Sequence, residues 1–132
     1  NKDELEDINN KNPDISIFPI SITRFAAIEA SISLKKQGIN VNVFHLVELK
    51  PLIVSENAKF SLKQSKFGGL VLDDDYVNGI AKNIAHDLNI ETNKTVNVLG
   101  LEDKTAGFYS NVDNLPPSSL EIQEYILNLM DK

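Results

Sequence analysis

Three adjacent carboxylates, Asp73, Asp74 and Asp75, close the apolar run Gly69 to Leu72 and precede a helical pattern. Carboxylate oxygens are the ligands Mg2+ takes, and like-charged neighbours can raise the pKa of one member toward that of a general acid. The same run serves as a helix N-terminus, where Asp caps free N–H groups and complements the positive end of the dipole. Extended backbone sends successive side chains to opposite faces, which argues against all three meeting on one ion. His45 and His86 are the only histidines. A histidine acting as general base needs an orienting partner and a reacting group within hydrogen-bond reach. His86 lies off the apolar stripe of its helix and is expected in solvent. His45 lies beside Phe44 and Leu46 in a strand, on a face or an edge, with a ligand or interface role open. Ser21, Thr23 and Arg24 follow Pro19 at a strand-to-helix turn and could hold an anion, although a capped helix explains Thr23 equally well.

Several chemistries are excluded by what surrounds these groups. There is no cysteine, hence no disulfide, zinc thiolate or thiol nucleophile. Gly68 and Gly69 precede a strand, whereas a dinucleotide fingerprint needs glycines between strand and helix so that phosphate meets the helix N-terminus. Walker loop, nucleophile elbow and His/Glu metal pattern are all missing, so no catalytic, cofactor-binding or metal-binding residue is assigned. With 13 basic and 19 acidic groups the net charge is −6, which would repel a phosphate backbone. No apolar run approaches the roughly 20 residues of a membrane helix, and no secretory signal is visible. The expectation is a soluble, cytoplasmic domain with neither nucleic-acid nor membrane partners, and the opening on Asn1 hints at excision from a longer chain.

At 132 residues with 42% apolar content the chain is one domain, burying roughly two-thirds of its unfolded surface. Residues 1–14 are charged and Asn-rich and predict a flexible tail or linker, with the domain proper over 15–132. Ile15 to Phe18 predict a strand. Thr23 is placed to cap a helix in which Phe25, Ile28 and Ile32 form the stripe and Ala26, Ala27 and Ala30 permit close packing, with Gly38 as its stop. Val41 to Leu46 predict a second strand, Ser55 caps a short helix to Lys63, and Gly69 to Leu72 read as a strand buried on both faces. Val77, Ile80, Ala81, Ile84, Ala85 and Leu88 form the clearest helical stripe. Thr95 to Leu99 predict a fourth strand. Ser118 and Glu121 make a capping box for a last helix carrying Leu120, Ile126, Leu129 and Met130. Strands alternating with helices predict a three-layer α/β/α sandwich around a mostly parallel sheet of four to five strands, the fifth near the N-terminus or within Gly107 to Val112.

The segment Ile15 to Leu52 resembles the C-terminal domain of the transketolase family, which includes transketolase, deoxyxylulose-phosphate synthase and the β subunits of 2-oxoacid dehydrogenases. The shared form is a hydrophobic strand, an Ala-rich helix ending Leu-x-x-x-Gly-Ile, a strand ending near Leu, and a Pro-Leu pair. Here these are Ile15 to Phe18, Ala27 and Ala30, Leu34 to Ile39, Val41 to Leu46, and Pro51 with Leu52. Gly69 to Asp74 looks like the family strand that ends in adjacent acidic residues, and Thr95 to Lys104 like its later strand and loop. Many members carry Gly where Ser21 stands, Asp where His45 stands and Arg where Val47 stands. Pro-Leu is commonly followed by Asp, here Ile53, and a Gly-Gly loop is here a single Gly79.

The resemblance implies a non-catalytic module of a thiamine-diphosphate-dependent transferase or oxidoreductase. Thiamine diphosphate and Mg2+ would sit in upstream domains or a partner subunit, and this domain would support assembly of a homo-oligomer, a dimer. Interface or switch-point candidates are Ser21, Thr23, Arg24, His45, Asp73, Asp74, Phe108 and Tyr109. The last two stand in the polar connection from Gly100 to Pro117, either at a contact with another subunit or simply over the end of the sheet. A free-standing flavodoxin-like ligand-binding domain and a pure interaction module remain alternatives.

Overall fold

The computed structural model describes residues 4–8, 12–46, 54–73, 80–100 and 117–131. Strands β1 (Glu4–Ile8), β2 (Ile15–Pro19), β3 (Val41–Leu46), β4 (Gly69–Leu72) and β5 (Val96–Leu99) alternate with helices α1 (Thr23–Lys35), α2 (Glu56–Gln64), α3 (Ile80–Thr92) and α4 (Ser119–Met130). The sheet order is β1-β3-β2-β4-β5. The last four strands are parallel, and β1 is antiparallel to β3. The sequence predicts a loose tail over 1–14 and offers the N-terminus as one of two places for a fifth strand; Glu4–Ile8 supplies that strand, with a bulge between Glu6 and Ile8. Its hydrogen bonds come from backbone groups, which a charged stretch possesses as fully as an apolar one, and charged edge strands are a common protection against unwanted pairing.

Alternation along the central strands separates two cores. Ile15, Ile17, Val43, Leu70 and Leu72 meet α1 and α4 on one face, while Phe18, Phe44, Leu46 and Val71 meet α2 and α3 on the other. Phe18 and Phe44 stack with centroids 5.8 Å apart. The stripe of α3 is buried as its spacing predicts, through Ala81, Ile84, Ala85 and Leu88.

Helix α1 departs from its predicted orientation. Ala27, Ala30, Ser31 and Leu34 face the sheet, whereas Phe25 and Ile32 are 68% and 52% exposed. Small residues let the helix axis approach the strands more closely than a stripe of large side chains would allow. Nor does Thr23 cap this helix: the N-cap is Ile22, with no side-chain hydrogen bond. On α4 Ile122 and Ile126 are buried, whereas Leu120 is 70% exposed.

The predicted capping box is present in both directions. Ser118 Oγ accepts from Glu121 N–H at 3.1 Å, and Glu121 Oε1 accepts from Ser118 N–H at 2.9 Å. Ser118→Ala should cost about 1 kcal/mol, read from the urea midpoint. Between α2 and α3, Lys59 Nζ lies 2.9 Å from Glu91 Oε2, and this hydrogen bond holds the ammonium pKa above its ordinary value. The pair is partly solvated, so it contributes less than about 1 kcal/mol. A raised lysine pKa gives stability that is complete below the unfolded value and lost as pH climbs through the folded one. Lys59→Met should therefore lower stability slightly at neutral pH, and unfolding titrations should show the difference from the parent chain fading in strong alkali.

Under α2, at the amino ends of β2 and β3, lies a buried hydroxyl network that no motif announces. Ser16 Oγ is 2.7 Å from both Ser61 Oγ and Ser65 Oγ, Asn42 Nδ2 donates to Ser61 Oγ at 2.8 Å, and Ser65 Oγ donates to the Ser61 carbonyl at 2.8 Å.

Candidate functional site

In an open parallel sheet, ligands gather at the carboxyl ends of the strands where successive connections diverge. From β2 the chain steps outward to β3 and then returns across to β4, so the divergence falls between β2 and β4. The turn after β2 and the residue after β4 meet there. Ile20 N–H donates to the Leu72 carbonyl at 3.0 Å, and Asp73 N–H donates to the Leu99 carbonyl at 3.0 Å.

Several sequence-predicted site residues converge on this point. Thr23 Oγ1 donates to the Ile20 carbonyl at 2.6 Å and lies 3.4 Å from that of Leu72, pinning α1 to the ends of both strands. Its single hydroxyl hydrogen is spent on carbonyls, so Thr23 offers nothing to an anion. Ser21 is exposed and left-handed at φ 55°, and its carbonyl accepts from Arg24 N–H at 3.3 Å and from His45 Nε2 at 3.2 Å. His45 thus ties the end of β3 to the β2–α1 turn. Arg24 sits in the first turn of α1 with its guanidinium 5.7 Å from the Phe25 ring centroid. His86 is exposed, as its place on α3 predicts.

Asp73 is buried at 6% exposure on the neighbouring strand end. A side chain at Gly100 would put its Cβ 2.7 Å from Asp73 Cβ, so the first residue after β5 must be glycine for the carboxylate to lie where it does. Gly100 is the positioning residue that the sequence leaves hidden, since a glycine after a strand reads only as a turn. Asp74, Asp75, Phe108 and Tyr109 lie outside the described residues, as do Val47, the Pro51–Leu52 pair, Ile53, Val77 and Gly79. Among the described residues no group of three or more His, Asp or Glu side chains is arranged to hold a metal ion.

No protein-family model matches the sequence, and no curated protein is recognisably similar to it. Solved structures do share its architecture. The inactive β4 tetramer of a split-gene transketolase aligns over 96% of this chain and 42% of its own, with TM-score 0.72 and 14% identity. A 2-oxoglutarate:ferredoxin oxidoreductase from Magnetococcus marinus aligns over 98% and 20%, with TM-score 0.67 and 16% identity. The fold is that of the transketolase C-terminal domain. The alpha chain of a probable 2-oxoacid ferredoxin oxidoreductase from Thermoplasma acidophilum has the same architecture, with TM-score 0.53 at 16% identity and both chains covered in full. This chain spans less than half the length of the first two relatives.

On this transketolase-type fold, one departure noted in the sequence gains a physical account. The turn after β2 needs a left-handed residue, a conformation that glycine adopts freely, and here Ser21 adopts it at φ 55°. The tight β2–α1 turn is therefore kept without the glycine. Among the described residues at these strand ends, the Thr23 hydroxyl hydrogen is committed to carbonyls and offers no donor to a diphosphate.

Proposed function

We propose that this chain is the C-terminal module of a thiamine-diphosphate-dependent transferase or oxidoreductase. In this reading it holds no cofactor and serves to bind the thiamine-carrying domain or subunit, within a dimer or larger homo-oligomer. The observation that carries the reading is an apolar outer surface on the α1–α4 layer. Ile22, Phe25, Ile32, Leu120 and Leu127 are all exposed there, against Phe60 and Ile90 on the opposite layer. Helix α1 spends its small residues on its own sheet and turns its large ones outward, as a helix placed between two bodies would. The fold neighbours support this, because the first two carry the same architecture as a minor share of longer chains. Thr23 and His45 then hold the strand ends in place, and Phe108 and Tyr109 are proposed to extend the assembly surface.

The test begins with the reading frame that precedes Asn1 or adjoins its gene, co-produced with this chain. A stable complex that binds thiamine diphosphate is expected, with no binding by the 132 residues alone in a calorimetric titration. Phe25→Ser combined with Ile32→Ser should dissociate the complex in sedimentation while leaving the thermal midpoint of this domain unchanged. Stoichiometric cofactor binding by the isolated chain, or a neighbouring frame with no thiamine-binding domain, overturns the reading.

A further inference from the structure

Among the described residues strand β5 is an edge of the sheet and pairs only with β4. In a parallel ladder, alternate residues turn their main-chain groups toward the partner strand. Gly69 N–H donates to the Thr95 carbonyl at 2.9 Å and Asp73 N–H to that of Leu99 at 3.0 Å. Thr95, Asn97 and Leu99 therefore face β4, and Val96 and Val98 turn their own N–H and C=O groups outward along the edge. The side chains of these two valines point to the α2–α3 layer and are only half covered.

They form one wall of a pocket of about 440 Å3, and α3 forms the other through Lys82, His86 and Asn89, spaced i, i+4 and i+7 on one helical face. Asn89 Nδ2 donates to the Lys94 carbonyl at 2.6 Å and so belongs to the frame of the groove. Lys82 and His86 are exposed at its rim. No described carboxylate lines it, in a chain whose net charge is −6.

We propose that the β5 edge and the α3 groove bind an extended acidic segment of a partner protein by strand addition. The partner's main chain pairs with Val96 and Val98, and its alternate side chains enter the groove. Glutamate fits best, with its methylene stem over the valines and its carboxylate reaching Lys82 or His86. The edge gives affinity to any extended chain, and the Lys82 ammonium at the rim selects the acidic one. This site is on the opposite layer from the α1–α4 surface and stands or falls independently of the proposed assembly role.

The test uses acetyl-Thr-Glu-Val-Glu-Thr-amide titrated into the isotope-labelled chain and followed by NMR. Saturable shifts and slowed hydrogen exchange are expected at the Val96 and Val98 amides. Lys82→Glu, at an exposed position, should weaken binding about tenfold or more, as should His86→Glu. A peptide with Lys in place of both Glu residues should bind more weakly, by about tenfold or more. Shifts located elsewhere, or affinity unchanged by both substitutions, overturn the proposal. So does concentration-dependent change at the same amides without peptide, which would assign the edge to a second copy of this chain.

Discussion

Gly68→Ala is expected to destabilise the domain by more than about 3 kcal/mol, a large share of the roughly 5–15 kcal/mol that holds a domain folded. Two costs combine. Gly68 is left-handed at φ 85°, where an L side chain costs about 1–2 kcal/mol. A Cβ there would also fall well inside contact distance of the Thr95 carbonyl oxygen, which is backbone and cannot swing aside. Relief requires the start of β5 to move away from β4, and that same carbonyl accepts the Gly69 N–H at 2.9 Å. The molecule supplies its own control. Gly38 has nearly the same conformation at φ 84°, but a Cβ there meets nothing within 4 Å. Gly38→Ala should show the conformational cost alone, about 1–2 kcal/mol. Urea unfolding of the two variants separates strain from collision, and equal losses would show that the approach of Gly68 to Thr95 costs nothing.

The contrast between these glycines also marks the limit of what the sequence discloses. Both read as punctuation, and only the packing of β5 against the Gly68 turn distinguishes them. The parallel sheet was legible because its strands are short apolar runs separated by helical periodicity, and the carboxyl end of β4 was legible because the apolar run stops at Asp73. The orientation of α1 was not. Phe25, Ile28 and Ile32 repeat with the same period as Ala27, Ala30 and Leu34, so periodicity offers two faces, and the choice depends on how closely the helix must approach the strands. The convergence of Ser21, Thr23 and His45 was legible only as a list of polar residues near strand ends. That Thr23 spends its hydroxyl on two carbonyls, and that Gly100 makes room for Asp73, are facts of tertiary approach. Strand β1 was legible only as one of two places for a fifth strand, because edge pairing draws on backbone groups common to every sequence.

Ser16 was equally inconspicuous, a polar residue between Ile15 and Ile17 in a strand buried at every position. Each hydroxyl has one hydrogen, and that fixes the direction of the network. Ser65 gives its hydrogen to the Ser61 carbonyl, so it must accept from Ser16. Ser16 is then free only to accept from Ser61, which in turn accepts from Asn42. Ser16→Ala should therefore leave the Ser61 hydrogen buried without an acceptor, at a cost of about 1–3 kcal/mol. Ser65→Ala leaves the Ser16 hydrogen in the same position and should cost about as much. The double variant has no Ser16 hydrogen to orphan, so one of the two penalties disappears. Its loss should fall short of the sum of the singles by about 1 kcal/mol or more. Chemical denaturation of the four proteins measures that coupling. Strictly additive losses would mean that the Ser16 and Ser65 hydroxyls act separately.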